Sequence, residues 1–280
     1  MFLELFQYSF FINASLGAVL TSITCGIIGT YIVAKRIVFI SGGITHASFG
    51  GIGIGYYFGF NPIVGAMIFS IFSALGIEYM SKKTDVREDS VIAILWSLGM
   101  AVGVIFIFLT PGYSANLMSF LFGNILTVSQ MNLYLLFGLT VLVSAIFLAL
   151  FKTILYVAFD EEFARTAGLP VTFINYLMIT LVAITIVLSI RVAGIILVIS
   201  LLTIPQTIAN IFTKDFRKII YLSIITGLTG SFAGLFFSNY FNIPSGATII
   251  FFLIVLFIFA RSFKSIQTSL RLKNQLKTKL

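Results

Sequence analysis

Residues 130–151 read QMNLYLLFGLTVLVSAIFLALF, 22 residues without a single charge, and Lys152 follows immediately. At about 1.5 Å per residue such a helix spans roughly the 30 Å hydrocarbon core of a bilayer. Working outward in both directions, the same pattern recurs. Spans are predicted near 9–33, 44–60, 62–80, 91–110, 130–151, 171–190, 192–212, 219–238 and 246–260. The stretch 116–128 is apolar but short, as a re-entrant or interfacial helix would be. The glycine-rich span 44–60 is a candidate for a broken helix, so the count stands at eight or nine.

Composition agrees. Of 280 residues, 59% are hydrophobic and only 9% charged, with a mean hydropathy of +1.12. A soluble domain carries about 25% charged residues. These values exclude a water-soluble globule and a disordered chain, and the expected class is an all-α, polytopic membrane protein. The net charge of +8 does not point to nucleic acid, because the basic residues fall in short segments between apolar runs. Cys25 is the single cysteine, so no disulfide framework exists. Met1–Tyr8 has no positively charged n-region, and the first span is expected to be retained.

With nine spans, sixteen of the seventeen basic residues gather on one side, and only Arg191 falls elsewhere. Because Lys and Arg accumulate on the cytoplasmic side, the amino terminus is expected outside and the carboxyl terminus inside. The division is a transmembrane domain over 1–260 and a basic cytoplasmic tail over 261–280, a membrane-surface anchor by its charge.

An ionisable group at membrane depth is expensive and marks function by default. Glu4 lies at the outer end, while Glu78, Asp85, Glu88, Asp89, Asp160, Glu161, Glu162 and Asp215 lie at or near the inner face. No carboxylate occupies the middle of a span, which argues against a relay of buried carboxylates. His46, the single histidine, stands in Ser41-Gly42-Gly43-Ile44-Thr45-His46-Ala47-Ser48-Phe49-Gly50-Gly51. Neutral imidazole is a common ligand for transition metals, and small neighbours let another backbone approach closely. A packed histidine bonded to a carbonyl is the competing reading. Arg191 ends the sixth span and is expected to snorkel to the headgroups.

Gly51-Ile52-Gly53-Ile54-Gly55 has the wrong spacing for a dinucleotide loop and reads as close helix packing. The chain contains neither a phosphate-binding G-x-x-x-x-G-K-[ST] loop nor an H-E-x-x-H motif. No permanently bound cofactor and no enzymatic activity are expected. Between the fifth and sixth spans lies Asp160-Glu161-Glu162-Phe163-Ala164-Arg165-Thr166-Ala167-Gly168-Leu169-Pro170. Acidic residues suit the first turn of a short helix, Gly168 suits its end, and Pro170 opens the next span. Such a helix is either a docking knob for a soluble partner or an ordinary capped loop.

In order along residues 10–262, the chain resembles the permease subunits of the zinc/manganese/iron ABC importers. The resemblance rests on Lys35-Arg36-Ile37-Val38-Phe39, Thr45-His46-Ala47-Ser48, Leu121-Phe122-Gly123-Asn124-Ile125-Leu126 and the Asp160–Gly168 segment. It continues through Val192-Ala193-Gly194-Ile195-Ile196-Leu197-Val198 with Leu202-Thr203-Ile204-Pro205, and through Pro244-Ser245-Gly246-Ala247-Thr248. It implies a fold like the type II ABC importers, working as a homodimer with two ATPase subunits and an extracytoplasmic metal-binding protein in the bacterial cytoplasmic membrane. It further implies that Asp160, Glu161, Glu162, Ala167 and Gly168 belong to a coupling helix for the ATPase. His46 would line the metal pathway.

Many such permeases carry Asp four residues before that histidine, where this chain has Gly42. Lacking that oxygen ligand, the pathway is expected to favour zinc over iron and manganese. Two readings stand beside this one: a permease for a metal chelate, and a secondary transporter driven by an ion gradient.

Overall fold

The computed structural model describes residues 7–111 and 128–277, with side chains described as far as residue 270. Eleven helices are described. They are α1 Ser9–Ala34, α2 Val38–Phe58, α3 Pro62–Lys83, α4 Glu88–Leu109, α5 Gln130–Phe159 and α6 Glu161–Thr166. They continue with α7 Val171–Ala193, α8 Ile195–Leu201, α9 Ile204–Phe212, α10 Phe216–Phe241 and α11 Ser245–Lys277. Among the described residues, nine segments are long and apolar enough to cross a membrane, with α8 and α9 together forming one of them. The chain is a multi-pass, all-helical membrane protein.

Burial sorts the helices. α1, α2 and α7 are largely enclosed, whereas α4 and the membrane segment of α11 are mostly uncovered. Uncovered helices such as α4 present Ile94, Leu98, Ile105 and Phe108 outward. In a bilayer this arrangement costs nothing, because lipid tails are as apolar as the core.

Glycine fixes how α2 is held. A Cβ on Gly51 would lie 2.0 Å from the Gly65 carbonyl oxygen of α3, and one on Gly53 would lie 2.4 Å from the Gly103 oxygen of α4. Only hydrogen fits at these crossings, so α2 is gripped backbone to backbone between α3 and α4. The glycine run is packing, as its spacing indicated. The helix is continuous through it and begins at Val38, six residues before the expected start.

The break falls instead in the span predicted over 192–212, at Leu202–Thr203 between α8 and α9. Pro205 has no N–H to donate to the carbonyl of Leu201, one turn back. Gln206 replaces that donor: its Nε2 bonds the Leu201 carbonyl at 3.1 Å and the Cys25 carbonyl of α1 at 2.8 Å. Gly29 of α1 makes room, since a Cβ there would collide with the Gln206 amide.

At the far end, α11 runs without interruption from the last span through the 260/261 boundary to Lys277. The block Leu121–Leu126 and residues 116–127 of the short apolar stretch lie outside the described residues.

Candidate metal pathway and docking helix

His46 lies on α2, half-buried, with its ring stacked on the indole of Trp96 from α4 at 4.3 Å between centroids and 6° between planes. Trp96 is the single tryptophan of the chain, and Phe39 packs against it in turn at 6.4 Å. One turn before His46, a Cβ on Gly42 would meet nothing within 4 Å. Residues four apart share a helix face, so an imidazole and an open space lie side by side. His46 is therefore held by an aromatic surface on one side and bordered by free volume on another. Ser41, Thr45 and Ser48 of the same helix return their hydroxyls to carbonyls of α2 itself. Among the described residues no cluster of three His, Cys, Asp or Glu is arranged to hold a metal ion. The face offers one nitrogen ligand per chain.

Arg191 sits near the opposite end of α7, exposed, and donates to Asn132 of α5 at 2.9 Å. It lines a cavity of about 150 Å³ with Tyr56 and Pro62.

The segment Asp160–Gly168 forms the short helix the sequence indicated. The Asp160 carboxylate accepts the Phe163 N–H at 2.9 Å and caps the first turn. At the other end Gly168 takes φ +74°, and the Gly168 and Leu169 N–H groups return to the carbonyls of Arg165 and Ala164. This is the left-handed helix stop that glycine tolerates. Ala164 is buried against the bundle, while Glu162, Phe163, Arg165, Thr166, Ala167 and Gly168 are exposed.

Glu161 is the exception, because it turns inward. Its Oε1 lies 2.8 Å from the Lys35 Nζ and accepts the Asn175 amide of α7 at 3.1 Å, and its Oε2 lies 3.6 Å from the Lys82 Nζ. Burial pushes the Glu161 carboxyl up, but the hydrogen bond and charge of Lys35, the charge of Lys82 and the Asn175 amide outweigh it and hold the group below its ordinary value. Of the five residues assigned to docking, Glu162, Ala167 and Gly168 face outward, Asp160 caps the helix, and Glu161 anchors it.

Lys35, Lys82, Asn175 and Trp96 escaped the sequence reading as site residues. The polar Asn175 inside an apolar run was a signal for one of them. Lys35 was visible as part of the block Lys35–Phe39 that carries the resemblance, and Lys82 as a member of the basic side, but neither as a partner of Glu161.

The model of the ABC 3 transport family matches residues 7–264. The chain is 34% identical over 264 residues to the manganese transport system membrane protein MntC of Listeria monocytogenes, covering 92% of this chain and 94% of that protein. It is 31% identical over 265 residues to a probable iron transport system membrane protein of Haemophilus influenzae, covering 95% and 97% respectively. Among solved structures, PsaBC from Streptococcus pneumoniae in complex with Fab superposes with a TM-score of 0.83 at 28% identity, over 93% of this chain and 95% of that one. The chain belongs to the ABC 3 transport family, the metal-ion ABC permeases that its sequence resembles.

Proposed function

We propose that this chain is the membrane-spanning subunit of an ATP-driven importer for a divalent first-row transition metal. The observation that carries the reading is the His46 face of α2, a half-buried imidazole beside the open space at Gly42, on a helix wedged between two others. In a homodimer, a two-fold axis would set two such imidazoles across one pore, with water completing the coordination. A sparse site of that kind releases its ion readily, as conduction requires.

Manganese or iron takes precedence over zinc. The relatives described above are named for manganese and iron. The space at Gly42 also admits water, an oxygen ligand manganese accepts in place of the missing carboxylate. The two ATPase subunits would dock on the exposed face of α6 at Glu162, Ala167 and Gly168. An extracytoplasmic binding protein would deliver metal to the opposite end. The basic end of the bundle, which includes Lys35 and Lys82, is assigned to the cytoplasm, with the amino terminus outside.

The test is ATP hydrolysis by the reconstituted complex with its binding protein, with manganese, iron and zinc supplied in turn. Stimulation by manganese or iron is expected. Absence of stimulation by every metal, with no ATPase subunit copurifying, would return the secondary-transporter reading to the front.

A further inference from the structure

At the basic end, a cavity of about 200 Å³ is lined by Tyr31, Lys35, Glu78, Lys82, Glu161 and Asn175, among others. These groups form a connected network. Lys35, Asn175 and Glu161 close a triangle: the Lys35 ammonium donates to the Asn175 Oδ1, the Asn175 amide donates to Glu161, and Lys35 pairs with Glu161. Lys82 joins Glu161 to Glu78 of α3, at 3.6 and 2.5 Å. Asn175 is 2% exposed, and the Lys35 side chain 15%. Such partly dry pairs are screened less than surface pairs.

Lys35 occupies a particular place in the chain. It opens the three-residue corner Lys35-Arg36-Ile37 between α1 and α2. Arg36 there takes φ +63°, in the left-handed region that favours glycine. The Ile37 N–H bonds the Ile32 carbonyl, and the Arg36 N–H bonds that of Val33. The corner is thus a closed, hydrogen-bonded turn that joins α1 to α2 with three residues. Beyond it, α2 runs directly to His46. Lys82, meanwhile, ties the docking helix to α3, whose Gly65 is locked against Gly51 of α2.

Both routes from α6 therefore converge on the helix that carries the imidazole. We propose that Lys35 is the residue through which movement of the docking helix reaches α2, with Lys82 as a second tie through α3. Lys35 is a positioning residue: it touches no metal and acts on the pathway through the corner. The proposal rests on the importer reading above and adds to it the route of transmission.

The experiment measures manganese ions taken up per ATP hydrolysed by the reconstituted complex with its ATPase and binding protein. A structural defect lowers uptake and hydrolysis together and leaves the ratio unchanged, whereas a broken link lowers the ratio. Lys35→Met is expected to reduce it roughly fivefold or more, a normal size for coupling between sites. Lys35→Arg should keep it within about twofold of wild type, below the usual coupling range. If Lys35→Met does not assemble, Lys35→Gln decides: it keeps a polar group that can bond Asn175 but removes the charge that pairs with Glu161, and the ratio should fall as for Lys35→Met.

An unchanged ratio in Lys35→Met, or in Lys35→Gln where Lys35→Met does not assemble, overturns the proposal alone. A wild-type complex that takes up no manganese, iron or zinc overturns the importer reading and this proposal with it.

Discussion

His46 and Gly42 stand one turn apart on α2, and the contrast between them governs the chemistry of that face. The imidazole is oriented by Trp96, while the glycine leaves space. Gly42→Asp would add a carboxylate at a position where a Cβ meets nothing within 4 Å. Manganese, a hard ion, should gain from it more than zinc. The concentration of manganese giving half-maximal ATPase stimulation is predicted to fall relative to that of zinc by about tenfold, the factor that 1.4 kcal/mol carries. A preference that stays unchanged would separate Gly42 from the metal.

Glu161 makes a second prediction at this scale. Its carboxyl is held below the ordinary value of 4.5. A depressed carboxyl contributes stability that is fully present above its unfolded value and is lost as pH falls through its native value. Thermal unfolding of the detergent-solubilised chain should therefore lose stability on acidification through that range, and Glu161→Gln should flatten the slope.

His46 was identifiable from sequence because it is the single histidine in an apolar run. Its stacking partner was not, since no local spacing connects position 46 to position 96. Glu161 was assigned to a docking helix by the family resemblance, while helix-start chemistry by itself left an ordinary capped loop open. That chemistry places an acid in the first turn but does not say which way the side chain turns.

Among the elements, α2 and the α7–α8 junction carry the strictest requirements. Gly194 alone separates α7 from α8 and adopts φ +77° with ψ 161°, a combination essentially restricted to glycine. Gly194→Ala is predicted to cost about 1–3 kcal/mol, read as a lowered unfolding midpoint of the purified chain. Gly53→Ala should be comparably harmful for a different reason. Its Cβ would sit 2.4 Å from the Gly103 oxygen and force α2 and α4 apart, an overpacking cost of roughly 1–3 kcal/mol. A Gly53→Ala chain with wild-type thermal stability would contradict the close crossing.

Nearly every span was legible, because twenty apolar residues in a row admit few other structures. Element ends were less so. α2 starts six residues early because Val38-Phe39-Ile40 is apolar enough to continue the helix, and the sequence marks no cap there. The α8–α9 break was misplaced to the glycine run of α2. Glycine is the weaker helix breaker where neighbouring helices need its small size, and Pro205 is the stronger one.

Over the whole molecule, two of the basic residues expected on one side, Lys35 and Lys82, line a common cavity. Lys35, Lys82 and Glu161, far apart in sequence, meet at one end of the bundle. That end also carries α6. Lys35 and Lys82, both ion-paired to Glu161, tie α6 to the α1–α2 corner and to α3. These are the two routes along which the proposed docking of an ATPase would reach the helix that carries His46. Partners and stoichiometry were not legible from residues alone, since one chain carries only its own half of any interface.

Manganese uptake into proteoliposomes containing the complete complex, compared between wild type and His46→Ala, tests the central claim most directly. The account predicts ATP-dependent uptake by wild type, and a loss of about tenfold or more in the variant with the complex still assembled, equivalent to at least 1.4 kcal/mol. Equal uptake by both would contradict a metal pathway along the His46 face.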